Sequence, residues 1–69
     1  MNGNLLKYYI VRNNERQEDL AEAMGLSLSR LNAKINGTSG AEFWQTEISF
    51  IRNRYRLTNE EVEAIFFTN

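Results

Sequence analysis

Residues 17–37 read QEDLAEAMGLSLSRLNAKING, and the rest of the chain is organised around them. The spacing predicts two short helices joined by a tight turn. In the first, residues 17–24, Leu20, Ala21 and Met24 share one side, while Glu18, Asp19 and Glu22 take the other. Gly25 stands where that helix must stop, since the residue just past a helix C-terminus commonly needs a positive φ and glycine adopts one at no steric cost. Leu26 plugs the turn into the core. Ser27 is a good N-cap for the second helix, which runs to about Asn36 before Gly37 ends it. Ala21, small and close to the turn, lets the second helix cross at short range.

At about 100° per residue the second helix resolves into two sides. Leu31 and Ile35 point inward, with Leu28 at the edge of that side. The opposite side centres on Ser29 and Ala33 and is flanked by Arg30, Lys34, Asn32 and Asn36, so it holds hydroxyl, methyl, guanidinium, ammonium and amide groups and no acid. By itself a polar helix face reads as a solvated one.

The stretch resembles the helix-turn-helix of the lambda-repressor-like family of phage repressor and Cro-type regulators. The resemblance is carried by Gln17 opening the first helix, Ala21, Gly25, Leu26, Leu31 and the closing Asn36-Gly37, all in register over the 21 residues. It implies an all-α fold, a compact bundle of about five short helices with this unit at its centre. It also implies a sequence-specific DNA-binding transcription regulator whose helix 28–36 enters the major groove of double-stranded DNA. Base reading then falls to Ser27, Leu28, Ser29, Arg30, Asn32 and Ala33. Arg30 is suited to a bidentate pair with guanine, Asn32 to adenine, and Ala33 to a thymine methyl, with Leu28 joining it if it tips outward. Phosphate contacts fall to Gln17, Arg16, Lys34, Asn36, Thr38 and Ser39. The sequence departs from the family at Leu28, where a polar reader is common, and at Lys34, where a core hydrophobe is frequent and Ile35 takes over.

Upstream, Asn4 is a candidate cap for a helix over residues 5–13 with Leu5, Leu6, Tyr9 and Ile10 inward. Asn13–Arg16 is a polar connector. Arg16 occupies the position before the opening Gln where the family often has Ser or Thr, so that cap is either weaker or moved to Asn14. The acids Glu18 and Asp19 suit the positive end of the helix dipole without any catalytic role.

Downstream, residues 37–43 form a loop in which Ser39-x-x-Glu42 fits a capping box as well as Ser39 fits a phosphate contact. A helix over about 44–55 places Trp44, Ile48, Ile51 and Tyr55 on one buried stripe, with Phe43 beneath the loop. Arg52, Arg54 and Arg56 share no face and read as solvated or ion-paired. Thr58 and Glu61 make a capping box, and Leu57 and Val62 a hydrophobic staple, for a last helix of about 59–67 that buries Val62, Ile65 and Phe66. Phe50 and Phe67 fall off these stripes. They mark either a dimer or partner surface or a longer wrap of core.

Composition bounds the rest. Sixty-nine residues make one domain, residues 1–69, with a thin core. With no cysteine and no histidine there are no disulfides, no thiolate or imidazole metal sites and no Ser-His-Asp triad, so neither an enzyme nor a cofactor is expected. No apolar run is long enough for a bilayer and residues 2–4 make no signal peptide, which predicts a cytoplasmic protein; the family resemblance implies a bacterial host cell or its nucleoid as the place. The net charge of −1 divides into +1 over residues 1–39, with five basic and four acidic side chains, and −2 over residues 40–69, with three and five. Phosphate neutralisation normally supplies much of the affinity for DNA, so binding is expected to be salt-steep and locally basic. The sequence therefore carries two expectations: a homodimeric DNA regulator with half-sites roughly 34 Å apart, and an interaction protein that binds and modulates a partner repressor.

Overall fold

Leu6, Leu20, Leu31, Ile51 and Ile65 are all completely shielded from solvent, and each comes from a different helix. In this computed structural model, which describes residues 1–68, the helices are α1 (Gly3–Arg12), α2 (Gln17–Met24), α3 (Leu28–Asn36), α4 (Gln45–Tyr55) and α5 (Asn59–Phe66). A short 3-10 turn, Thr38–Gly40, follows α3. Among the described residues there is no strand, and the chain is an all-α bundle. Helices of 8–11 residues are marginal alone in water. Their stability comes from the shared core that these five side chains, with Ile10, Ala21, Ile35, Tyr55 and Leu57, build between them.

The N-terminus starts earlier than its sequence indicates. Asn2, not Asn4, caps α1, its Oδ1 accepting from the Leu5 N–H at 3.1 Å. The Asn2 N–H donates to the Ile65 carbonyl at 2.6 Å, which anchors the start of the chain on α5 and brings Gly3 onto α3. A side chain at position 3 would place its Cβ 2.7 Å from the Ile35 carbonyl oxygen, so the glycine permits that approach.

Arg16 occupies the N-cap of α2, and no side chain caps it from that position. Instead the Asp19 carboxylate accepts from the Arg16 N–H at 2.7 Å. Asn14 lies in the left-handed region (φ 59°) within the connector and does not cap the helix. Next to it, Glu15 receives the Arg54 guanidinium, tying the connector to the end of α4.

Two expectations downstream are corrected. Ser39 does not begin a helix: it sits at φ 55° inside the 3-10 turn, and α4 starts only at Gln45. Trp44 is not core. It is the N-cap residue of α4 and 66% exposed, because a residue in extended conformation before the first turn escapes the helical periodicity that buries Ile48, Ile51 and Tyr55. Phe43 packs edge-on against Phe66, ring centres 5.6 Å apart. At α5 the capping box forms as read, with Thr58 Oγ1 accepting from the Glu61 N–H (3.1 Å) and Glu61 Oε1 from the Thr58 N–H (2.8 Å). Ile65 and Leu57 are buried, whereas Val62 and Phe66 are half-buried at the core's edge.

Candidate nucleic-acid interface

The α2–α3 unit is shaped by three local devices. Gly25 takes φ 70°, which turns the chain out of α2, and the Leu26 N–H then closes on the Ala21 carbonyl at 2.9 Å. Ser27 Oγ accepts from the Arg30 N–H at 3.2 Å and so starts α3. Gly37 at φ 68° ends it. Leu31 and Ile35 hold α3 from behind, which leaves Ser27, Leu28, Ser29, Arg30 and Asn36 exposed and Asn32 and Ala33 half-buried.

Two shallow hollows flank that outward side. On one, Leu28 and Asn32 meet Arg16 and Gln17 of α2 and Lys7 and Val11 of α1. Residues proposed to read bases and residues proposed to hold phosphate therefore share one surface, although they come from separate elements. On the other, Arg30 and Ala33 meet Gly40, Glu42 and Trp44. Thr38 and Ser39 are exposed beside the end of α3.

Lys34 departs from this pattern and is a correction. It lies 7% exposed rather than outward. Its ammonium donates to Glu47 Oε1 at 2.9 Å and to the Glu42 carbonyl at 3.1 Å, and it stands 4.7 Å from the centre of the Trp44 ring. Two of its three donors are engaged and its charge is paired, which turns it away from the outward side on which the sequence placed it. The sequence held a sign of this, since Lys34 lies one position before the inward Ile35 and three after the inward Leu31, and a long lysine stem can lie along the core edge if its head finds a partner. Trp44, missed as a surface residue, had a sign too: Glu47 three residues on is spaced to cap its N–H, which it does at 2.8 Å.

The electrostatics are local. Arg16 and Arg30 are exposed with no acid paired to them among the described salt bridges, whereas Glu15 is taken up by Arg54. The Arg54 guanidinium holds the Glu15 carboxyl below the usual carboxylate range despite partial burial. Glu18 and Glu42 remain at the margins of the two hollows. Among the described residues no group of three or more potential ligands is placed to hold a metal ion, and no helix is long and apolar enough to cross a membrane.

Phe50 and Phe67 line different hollows. Phe50, 37% exposed, borders a hollow that Ala23 and Met24 at the end of α2 also line. Phe67, 54% exposed, borders a hollow of about 470 Å³ with Met1, Phe43, Ile48 and Phe66.

No protein-family model, curated protein or solved structure matches the chain.

Proposed function

We propose that the protein is a sequence-specific DNA-binding regulator that reads the major groove with α3. The observation that carries this is the outward side of α3: acid-free, presenting Ser27, Ser29 and Arg30 with Asn32 and Ala33 beside them, and braced by two buried aliphatics. A helix admitted to the major groove needs donors and acceptors in that arrangement, with cations on its flanks for the phosphates. Arg16 and Gln17 at the start of α2, and Asn36, Thr38 and Ser39 beyond α3, supply the backbone contacts. The likeness of residues 17–37 to the lambda-repressor-like family supports the same assignment, and with it a phage-type repressor or Cro-like protein working in the cytoplasm of a bacterial host, without enzymatic activity or a cofactor. A homodimer on a palindromic site completes it, and the exposed Phe67 beside Met1 and Phe66 is the better-placed of the two aromatics for the protein contact.

Selection of bound duplexes from a random pool, followed by titration of the winner against salt, tests this directly. The reading requires a defined motif and a steep salt dependence. Absence of any enriched sequence, with no duplex retained even at low salt, would refute it.

A second reading has its own support. Leu28, 39% exposed, puts an apolar group on the α3 surface next to Val11, which is 70% exposed. That patch fits a protein partner, and a chain that captured a repressor without binding DNA would be a modulator of that repressor.

A further inference from the structure

We propose that Trp44 belongs to the DNA interface, packing its indole against a deoxyribose of the strand that borders the groove occupied by α3. This deepens the DNA-binding reading and rests on it.

The starting point is the Lys34–Glu47 pair. Burying an ion pair where a leucine or methionine would fill the space is a poor way to gain stability, because desolvation offsets most of the attraction. What the pair does here is hold geometry. One ammonium joins α3 to the Glu42 carbonyl and to Glu47 of α4, and it stands over the Trp44 ring at 4.7 Å. The Glu47 oxygen that receives the ammonium also accepts the Trp44 N–H at 2.8 Å. The buried ammonium lies against one face of the indole and the Glu47 carboxylate holds the residue's main-chain N–H, yet two-thirds of the residue faces solvent. A single exposed aromatic is ordinary on a protein surface. One backed by a buried ammonium beside a reading face is biased toward a single placement, which lowers the ordering cost of binding.

Position and charge define the occupant. Trp44 shares its hollow with Arg30 and Ala33, the outward residues of α3, so a duplex seated on α3 continues onto the indole. Among the described residues, the charged side chains that line the hollow are Arg30 and Glu42, neither in a salt bridge, and Lys34, whose charge is paired with Glu47. A surface with no net charge does not select a phosphate; it matches the apolar C–H face of a sugar.

Trp44 is the only tryptophan in the chain, so its fluorescence reports on this surface alone. The test uses the full chain with the duplex recovered from the selection above, and acrylamide as quencher. Expected is protection of Trp44 on binding, an affinity loss of about tenfold for Trp44→Ala, and recovery of most of it in Trp44→Phe. Circular dichroism melts of both variants separate loss of contact from loss of fold. Duplex binding seen by gel shift with Trp44 as open to acrylamide as in the free protein would overturn the Trp44 proposal and leave the DNA reading standing. Equal protection by the single strand would also overturn it, since that signals stacking on an unpaired base. If no duplex binds at all, both fall together.

Discussion

Arg54, at the end of α4, grips the carboxylate of Glu15, which lies 39 positions earlier in the connector ahead of α2, its Nε donating to Oε1 at 2.9 Å and its Nη2 bonding to the second oxygen. This two-point contact ties the residue two positions ahead of α2 to the last turn of α4. It also places both groups beside the buried Tyr55, whose hydroxyl is raised well above its ordinary pKa, first by burial and then by the Glu15 carboxylate.

The pair makes stability depend on pH. The Arg54 guanidinium lowers the folded pKa of Glu15 below its ordinary 4.5. Its contribution is therefore complete above the unfolded-state value and is lost as pH falls through the lowered folded one. Glu15→Gln should cost about 1 kcal/mol at neutral pH, discounted for partial exposure, and the gap from the wild type should narrow as pH falls below 4.5 and through the lowered folded value. Urea denaturation at several pH values measures this, and a gap that persists into acid would contradict it.

Gly3 and Gly25 should fail for different reasons. Gly3→Ala drives a Cβ to 2.7 Å from the Ile35 carbonyl oxygen, and backbone cannot yield cheaply, so a loss of about 1–3 kcal/mol is expected. At Gly25 nothing lies within 4 Å of the added Cβ, and the φ of +70° alone penalises Gly25→Ala, by about 1 kcal/mol. Gly25→Asn should recover part of that loss while Gly3→Asn recovers none. Thermal melts of the four variants decide it.

Removing the carboxylate of the Lys34–Glu47 pair should hurt more than replacing the lysine by a hydrophobe of similar shape. Glu47→Ala strands a buried ammonium and frees the Trp44 N–H, for an expected loss of about 2 kcal/mol. Lys34→Met also leaves one charge of the pair behind, but Glu47 keeps the Trp44 N–H and the new side chain fills the space of the lysine stem, so a smaller loss of about 1 kcal/mol is expected. In DNA titrations Lys34→Met should also leave the salt slope unchanged, whereas Arg16→Ala should lower it by about one. A reduced slope for Lys34→Met would restore that residue to the phosphate contacts.

Arg30→Ala addresses the base contacts. If Arg30 reads a guanine, the variant should bind the selected duplex about 1–3 kcal/mol more weakly and lose preference at one base pair while keeping it at the others. Competition titrations against singly substituted duplexes check it. Uniform weakening across all of them would make Arg30 a backbone contact.

Local chemistry was legible in the sequence because its determinants lie three or four residues apart. Thr58 with Glu61, Ser27 ahead of Arg30, and Gly25 and Gly37 at helix ends all act within one turn of backbone. The buried stripes Leu31–Ile35 and Ile48–Ile51–Tyr55 follow from helical period alone. These determined an all-α bundle and the side of α3 that faces out. Tertiary structure decided what no local pattern contains. Asn2 caps α1 in place of Asn4, with the chain start anchored on Ile65, and Lys34 turns inward because Glu47, 13 residues away, receives it. Trp44 lies outside because the cap position falls before helical periodicity begins. A lysine's long stem and an N-cap's extended backbone each permit two placements, and only a distant partner selects between them.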